Sequence, residues 1–288
     1  MVKTEVMVMS PKIKQVTQTA LMEAFQDTQH FVKENNRLRE QTKSMLAGTR
    51  LYFPEFQAMY PSQKKEQLEI SIVKDTTFHC AQNLINKEDK VAVLNFANAY
   101  HPGGGVLNGA IAQEECLCRS SNLYNALTLP YLQRNYYKWN AKNTGDLGSD
   151  SVIYSPGVTV FKTDNVVPEL MEKRSWFQVD VLTCAAPYYD KDRRHPVSID
   201  KLRSVFADRI DNILAVAAAN NVDILVLGAF GCGVFNNPAE MVADVFYDQL
   251  INGQYGGCFR KVLFAIKADG ERDMKNYMTF FECFNKDR

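Results

Sequence analysis

The sequence has no surplus of either charge: 33 lysines and arginines face 33 aspartates and glutamates. A protein that grips a long polyanion over a wide face shows a basic excess, so broad nucleic-acid wrapping is excluded. Capture of one or two phosphates by backbone N–H groups needs no net charge and stays open. There is no uninterrupted apolar run of the roughly 18 residues that a bilayer span requires. The opening MVKTEVMVMSPKIKQ also lacks a long apolar stretch before a small-residue cleavage site. Neither a membrane contact nor a secretory signal is therefore expected. Histidine is scarce, with four in the chain (His30, His79, His101, His195), and scattered. Internal repeats and low-complexity segments are missing. The seven cysteines are odd in number and lie mostly in apolar context. That composition points to reduced, buried thiols in a cytoplasmic protein and away from a disulfide framework. Cys116-x-Cys118 has no second pair at ligand spacing, so no metal is expected, and nothing calls for a cofactor.

What is present is ordinary globular material: 288 residues, 46% hydrophobic and 23% charged. That length is near the limit for a single core. The reading is a helical extension over residues 1–66 packed on a core over residues 67–288. Ser10-Pro11 is a good helix start, and the stretch after it favours helix up to about Ala47, with Gly48 as the stop. Its apolar stripe is thin: Ile13, Val16, Leu21, Met22 and Phe25.

Beyond residue 67 the pattern alternates between strand and helix. Residues 68–73 and 177–182 have the period-two alternation of half-buried strands, while 91–97 is a near-continuous apolar run, as in a strand covered on both faces. Residues 76–86 read as a short helix. Residues 152–161 read as a hairpin broken at Pro156-Gly157. The clearest helix covers 198–220, where Leu202, Phe206, Ile210 and Ile213 recur at three-and-four spacing. A buried strand over 224–227, a helix over 238–251, a strand over 260–267 and a helix over 272–284 complete the chain. Such alternation predicts an α/β layered sandwich with a largely parallel sheet, whose ligands sit beyond the carboxyl ends of the strands.

Two loops occupy that position. The first runs Asn95-Phe96-Ala97-Asn98-Ala99-Tyr100-His101-Pro102-Gly103-Gly104-Gly105; seven residues later comes Gln113-Glu114-Glu115, opening a helix. Three consecutive glycines cost backbone entropy, which makes sense where the chain turns sharply or lets a ligand approach. GGG alone reads better as a flexible turn, and the two glutamates as complements to the helix dipole. The combination at the end of a core strand favours a site. The second loop is Gly228-Ala229-Phe230-Gly231-Cys232-Gly233-Val234-Phe235-Asn236-Asn237-Pro238, with Asn237 suited to cap the helix that follows. Free N–H groups in such a turn form an anion nest that suits a diphosphate. A tight strand-to-helix turn would have the same sequence. No Gly-Lys-Ser/Thr follows, so it is not a Walker loop, and Asn236 stands where a dinucleotide fingerprint needs glycine.

Taken together, NFAN, GGG, the seven-residue spacer, QEE and the downstream GAFGCGVF resemble the microbial type of poly(ADP-ribose) glycohydrolase, from about residue 10 to the end. The resemblance implies a macrodomain-like three-layer α/β/α sandwich with a mixed sheet and an N-terminal helical extension. It implies hydrolysis of the ribose–ribose O-glycosidic bond of poly(ADP-ribose), mainly from chain ends, with ADP-ribose as product and the enzyme a monomer. Glu115 would be the catalytic acid, and Glu114 would bind ribose hydroxyls beside the scissile bond. Gln113 would shape the loop and Asn98 would hold the terminal ribose. Gly103, Gly104 and Gly105 would let the loop approach that ribose. Gly231, Cys232, Gly233, Val234 and Phe235 would cradle the diphosphate, with Phe235 packing on the ribose. Asn95 is assigned no catalytic role.

The chemistry asks for a proton on the leaving oxygen and stabilisation of an oxocarbenium-like centre. Sequential glutamates on a helix diverge by roughly 100°, so they are not expected to flank the bond as a standard pair. One working carboxyl, Glu115, then protonates the leaving hydroxyl and activates water, and the substrate diphosphate stabilises the cation. Two rivals share the ADP-ribose cradle: a hydrolase of mono-ADP-ribosylated protein or nucleic acid, and a non-catalytic ADP-ribose-binding module. QEE argues against the module, because a reader needs no carboxyl at the bond.

Overall fold

Among the described residues, seven strands form one sheet whose spatial order departs from chain order. The computed structural model describes residues 16–54, 56, 67–194 and 196–286. In chain order these give helices α1 (Gln18–Glu34) and α2 (Asn36–Gly48), strands β1 (Arg50–Tyr52) and β2 (Glu69–Val73), helix α3 (Thr77–Gln82) and strand β3 (Val91–Phe96). Four short helices follow: α4 (Gln113–Ser120), α5 (Leu123–Leu127), α6 (Pro130–Leu132) and α7 (Lys138–Asn143). The remainder is β4 (Val152–Val160), β5 (Phe177–Cys184), α8 (Ile199–Ala219), β6 (Ile224–Leu227), α9 (Ala239–Ile251), β7 (Lys261–Ala265) and α10 (Glu271–Asn285). Strands β5, β3, β6, β7 and β2 are parallel, while β4 and β1 add antiparallel to the β5 edge, so the sheet is mixed.

The period-two geometry of a strand sorts side chains into two layers. On β3, Ala92 and Leu94 pack with Leu202, Phe206 and Ile210 of α8 and Phe246 of α9. Val91 and Val93 pack on the other face with Leu117 of α4, Leu123 of α5, Tyr136, Tyr137 and Phe25 of α1. Helices thus cover both faces, which is why β3 reads as a continuous apolar run. Helix α8 is capped by Ser198, whose Oγ accepts from Lys201 N at 3.2 Å. Its Leu202, Phe206, Ile210 and Ile213 are all fully buried, and truncating one such side chain to alanine costs about 2–5 kcal/mol.

Three sequence expectations need correction. The hairpin expected at Pro156-Gly157 is a single strand, β4. Its register with β5 slips between Ser155 and Val158, and Gly157 sits at φ 62°. Strand β1 pairs only with Val152, Ile153 and Tyr154, so the bulge lies where β4 has no partner on that side and proline's missing N–H costs no ladder bond. The helix-favouring stretch before Ala47 is two helices. Asn35 ends α1 through its N–H to Phe31 O (3.0 Å) and starts α2 through its side chain, which accepts from Leu38 N (3.1 Å). Ser10-Pro11 and Ile13 lie outside the described residues. The helix expected over 76–86 stops at Gln82, because Asn86 folds the chain after it by accepting from Glu88 N and Asp89 N. Within the Tyr136–Trp139 segment the two tyrosines are buried and Trp139 is exposed. A π-helical turn over Gln133–Tyr137 brings consecutive tyrosines inward.

No described helix is long and apolar enough to cross a membrane. The seven cysteines are free thiols. Phe96 stands opposite Cys184 where β3 and β5 end, and β6 ends beside them at Leu227. The loops that leave these three strand ends meet there.

Candidate active site

The first loop is built around the helix that follows it. Asn98 accepts from Tyr100 N (2.8 Å) and His101 N (2.9 Å) through Oδ1, closing a side-chain turn. Its own N–H donates to Glu114 Oε2 at 2.8 Å. Gly103 and Gly104 have φ of 71° and 58°, a region that side-chain-bearing residues rarely enter. A Cβ on Gly104 would also collide with Glu115 Oε1 and come within 3.2 Å of Glu114 Oε2. Glycine is required here on both counts. The divergence expected of sequential glutamates is offset by side-chain rotation, and both carboxylates reach the same glycine.

Each residue of QEE holds a different part of the loop. Gln113 accepts from Phe96 N (2.8 Å) and donates to Leu94 O (2.8 Å) and Thr77 Oγ1 (3.0 Å), stitching α4 to the end of β3. Glu114 is buried. Its Oε1 accepts from Asn95 Nδ2 at 3.3 Å, and Asn95 Nδ2 also donates to Thr183 Oγ1 at 3.2 Å. Burial pushes the Glu114 carboxyl up to about 8; the Asn98 N–H pulls the other way, and the neighbouring Glu115 charge adds to the rise. Glu115 Oε1 accepts from Gly105 N at 2.8 Å, whereas Oε2 is buried without a hydrogen-bond partner among the described residues.

The second loop leaves donors open instead of using them. Gly231 (φ 76°) packs so closely on Ala186 and Asn237 that a Cβ would come within 2.6 Å of each. Asn237 does not cap α9 as expected. It donates through Nδ2 to Pro187 O (2.8 Å) and Gly231 O (2.9 Å), and Pro238 takes the cap position. The Cys232 side chain is buried and its N–H donates to Ala229 O at 3.1 Å. That leaves the N–H groups of Gly231, Gly233, Val234 and Phe235 without backbone acceptors among the described residues. Around Gly233 the space is open, with nothing within 4 Å of a Cβ built there. Phe235 lies edge-on to Tyr188, ring centroids 6.2 Å apart.

Between the loops runs a cleft of about 380 Å³. Ile111, Gln113 and Cys116 line one wall, and Gly231, Gly233, Val234 and Phe235 line the other. Phe96 and Ala229 lie between, and the cleft continues to Ile266, Lys267 and Asn276. Its charged lining mixes Asp75, Asp164 and Asp273 with Lys267 and Arg272. An anion here is therefore held by oriented N–H groups more than by net charge. No cluster of His, Cys, Asp or Glu among the described residues is placed to hold a metal. His101 is exposed on the first loop, and His195 lies outside the described residues. Thr77, which bonds Gln113, Thr183, which bonds Asn95, and Arg119, which bonds Ala110 O, carried no sequence signal. Asn95 had one, its place at the end of β3.

The family model for the microbial-type PARG catalytic domain matches residues 19–163. The chain belongs to this family. The matched segment contains the first loop and QEE but ends before the Gly228–Pro238 loop. Poly(ADP-ribose) glycohydrolase from Thermomonospora curvata is 32% identical, with 92% of this chain and 100% of that one covered at a TM-score of 0.79. The same enzyme bound to the inhibitor ADP-HPD gives 32% identity, 92% and 99% coverage and a TM-score of 0.77. The glycohydrolase from Deinococcus radiodurans in complex with ADP-ribose gives 33% identity, 85% and 97% coverage and 0.75. Comparison with curated proteins returns no match. This member of the microbial-type PARG family is thus a glycohydrolase with the macrodomain-like α/β fold of those enzymes.

Proposed function

We propose that this poly(ADP-ribose) glycohydrolase cleaves the ribose–ribose bond with Glu115 as its general acid and base, working mainly from chain ends. The observation that carries the reading is the asymmetry of the Glu115 carboxyl. Oε1 is fixed as an acceptor by the Gly105 N–H, and buried Oε2 has no partner among the described residues. A buried polar atom left unpaired is costly, which fits one that waits for substrate. With the terminal ribose under Gly104 and its diphosphate on the N–H groups of Gly233–Phe235, Oε2 gives its proton to the leaving 2′-oxygen as the C1″–O bond breaks. The adjacent diphosphate stabilises the oxocarbenium-like ribose. Water then attacks C1″ and returns a proton to Glu115. Glu114, largely neutral at pH 7 because of its burial, adds little repulsion and hydrogen-bonds ribose hydroxyls.

Release of ADP-ribose from purified polymer tests this. Glu115→Gln should lower kcat by about 10²–10⁴-fold, the usual worth of a positioned proton-transfer group, while ADP-ribose affinity stays within about threefold. Wild-type turnover in Glu115→Gln would remove Glu115 from the mechanism. Preferential release from mono-ADP-ribosylated protein over polymer would shift the substrate assignment to the rival hydrolase.

A further inference from the structure

Arg119 lies four residues after Glu115 on α4, so the two side chains share one face of a rigid helix. Both grip the same loop. Glu115 Oε1 accepts from Gly105 N (2.8 Å), Gly105 O accepts from Ala110 N (3.2 Å), and Ala110 O accepts from Arg119 Nη1 (2.7 Å). The links close a ring from carboxylate to loop to guanidinium and back through α4. Arg119 is fully buried, makes no ion pair among the described residues, and has an unpartnered Nε. Its remaining contact is Nη2 to Cys116 Sγ at 3.4 Å. A buried guanidinium with no carboxylate is costly, and a side chain needed only to fill space would carry no charge.

Helix α1 backs this ring. Thr28 Oγ1 donates to Arg119 O at 2.5 Å. Gly109 (φ 71°) packs against the backbone of Gln18, the first residue of α1, so closely that a Cβ would come within 2.5 Å of its carbonyl oxygen. Phe25 meets Tyr124 edge-on at 4.9 Å, and Tyr124 in turn packs under Gly103. We infer that Arg119, seated on helix α1, is a positioning residue that sets Glu115 against the scissile bond. The inference rests on Glu115 being the working acid. It gives the N-terminal helix a place in the catalytic apparatus, because α1 touches the loop at Gly109 and the Glu115 helix at Arg119, and reaches Gly103 through Tyr124.

The test uses the full chain, polymer hydrolysis and ADP-ribose binding measured separately. Arg119→Met should lose about 10²-fold in kcat, the size expected when a catalytic group is displaced by about 1 Å. Its ADP-ribose affinity should hold within about threefold, because the diphosphate nest belongs to the other loop. Arg119→Lys, which keeps one donor for Ala110 O, should recover most of the loss. Full kcat in a folded Arg119→Met, or kcat and ADP-ribose affinity falling together, overturns the inference. If Arg119→Met does not fold, Gly109→Ala decides: lower kcat with unchanged affinity supports the role of α1, and unchanged kcat overturns it. Glu115→Gln assayed in parallel separates the two ideas. A dead Glu115→Gln beside an active Arg119→Met sinks only the positioning role, whereas an active Glu115→Gln sinks the acid assignment itself.

Discussion

The two loops at the mouth of the cleft solve opposite problems. The segment from Asn98 to Arg119 spends its polar groups on itself: Asn98, Gln113, Glu114 and Arg119 each hold backbone, and the buried Oε2 of Glu115 has no partner among the described residues. The Gly228–Pro238 loop does the reverse, turning Cys232 inward and leaving a run of N–H groups facing open space at Gly233. On the proposed mechanism, one loop holds a reacting group still and the other receives an anion. A rigid surround suits the first task, since misplacing an acid by an ångström costs rate, and open donors suit the second.

Glycine substitutions would break that comparison most sharply. Gly104→Ala puts a methyl onto Glu115 Oε1 at a positive φ. It should cost about 10²-fold in kcat, as for any displaced catalytic group. Gly233→Ala meets nothing in the protein, so it should keep stability and kcat and instead raise KM for polymer. Equal effects of the two on kcat would erase the distinction drawn between the loops. Steady-state kinetics on polymer read both.

The buried glutamate sharpens the contrast through pH. The Glu114 carboxyl is raised from 4.5 to about 8, so the folded protein holds a proton there that the unfolded chain releases above about 4.5. Stability therefore falls as pH rises from about 5 to 8, with a slope of up to about 1.4 kcal/mol per pH unit from this one group. Glu114→Gln should flatten that slope in urea unfolding series. An unchanged slope would mean that the donors around Glu114 outweigh its burial. The smallest effect is expected at the opposite end of the sheet. There Asp180 is fully engaged by Tyr154 Oη, Gly157 N (2.8 Å) and Lys90 Nζ (3.3 Å). Tyr154→Phe should cost about 1–3 kcal/mol of stability, the worth of a hydrogen bond to a charged group, since Lys90 and Gly157 still hold the carboxylate, and leave kcat unchanged. A change in kcat there would show that preorganisation is not confined to the ligand end.

How legible all this was in the sequence depends on the range of the interaction. Apolar periodicity reports burial, so β3, β6 and α8 were readable within a residue or two. Glycines and QEE report local backbone and charge, so the positive φ at Gly103, Gly104 and Gly231 and the helix start at Gln113 were readable. Pro156-Gly157 misled because a turn and a bulge demand the same residues, and only the partner strand distinguishes them. Asn237 misled because a capping side chain and one that laces a loop are the same residue type, with the acceptor at Pro187 fifty positions away.

Short-range chemistry was therefore decided by the chain alone: which segments are strands or helices, where glycine permits a positive φ, and which carboxyls begin α4. The tertiary structure decided everything that depends on contacts between distant positions. It placed Arg50–Tyr52 as the sheet's edge strand and set α1 behind the Glu115 loop. It buried Glu114, which raises its carboxyl, and brought Ile111, Gln113 and Cys116 into one cleft with Gly231, Gly233, Val234 and Phe235, more than a hundred residues away. The reason is physical: propensity acts over a few bonds, whereas burial and electrostatics act through space.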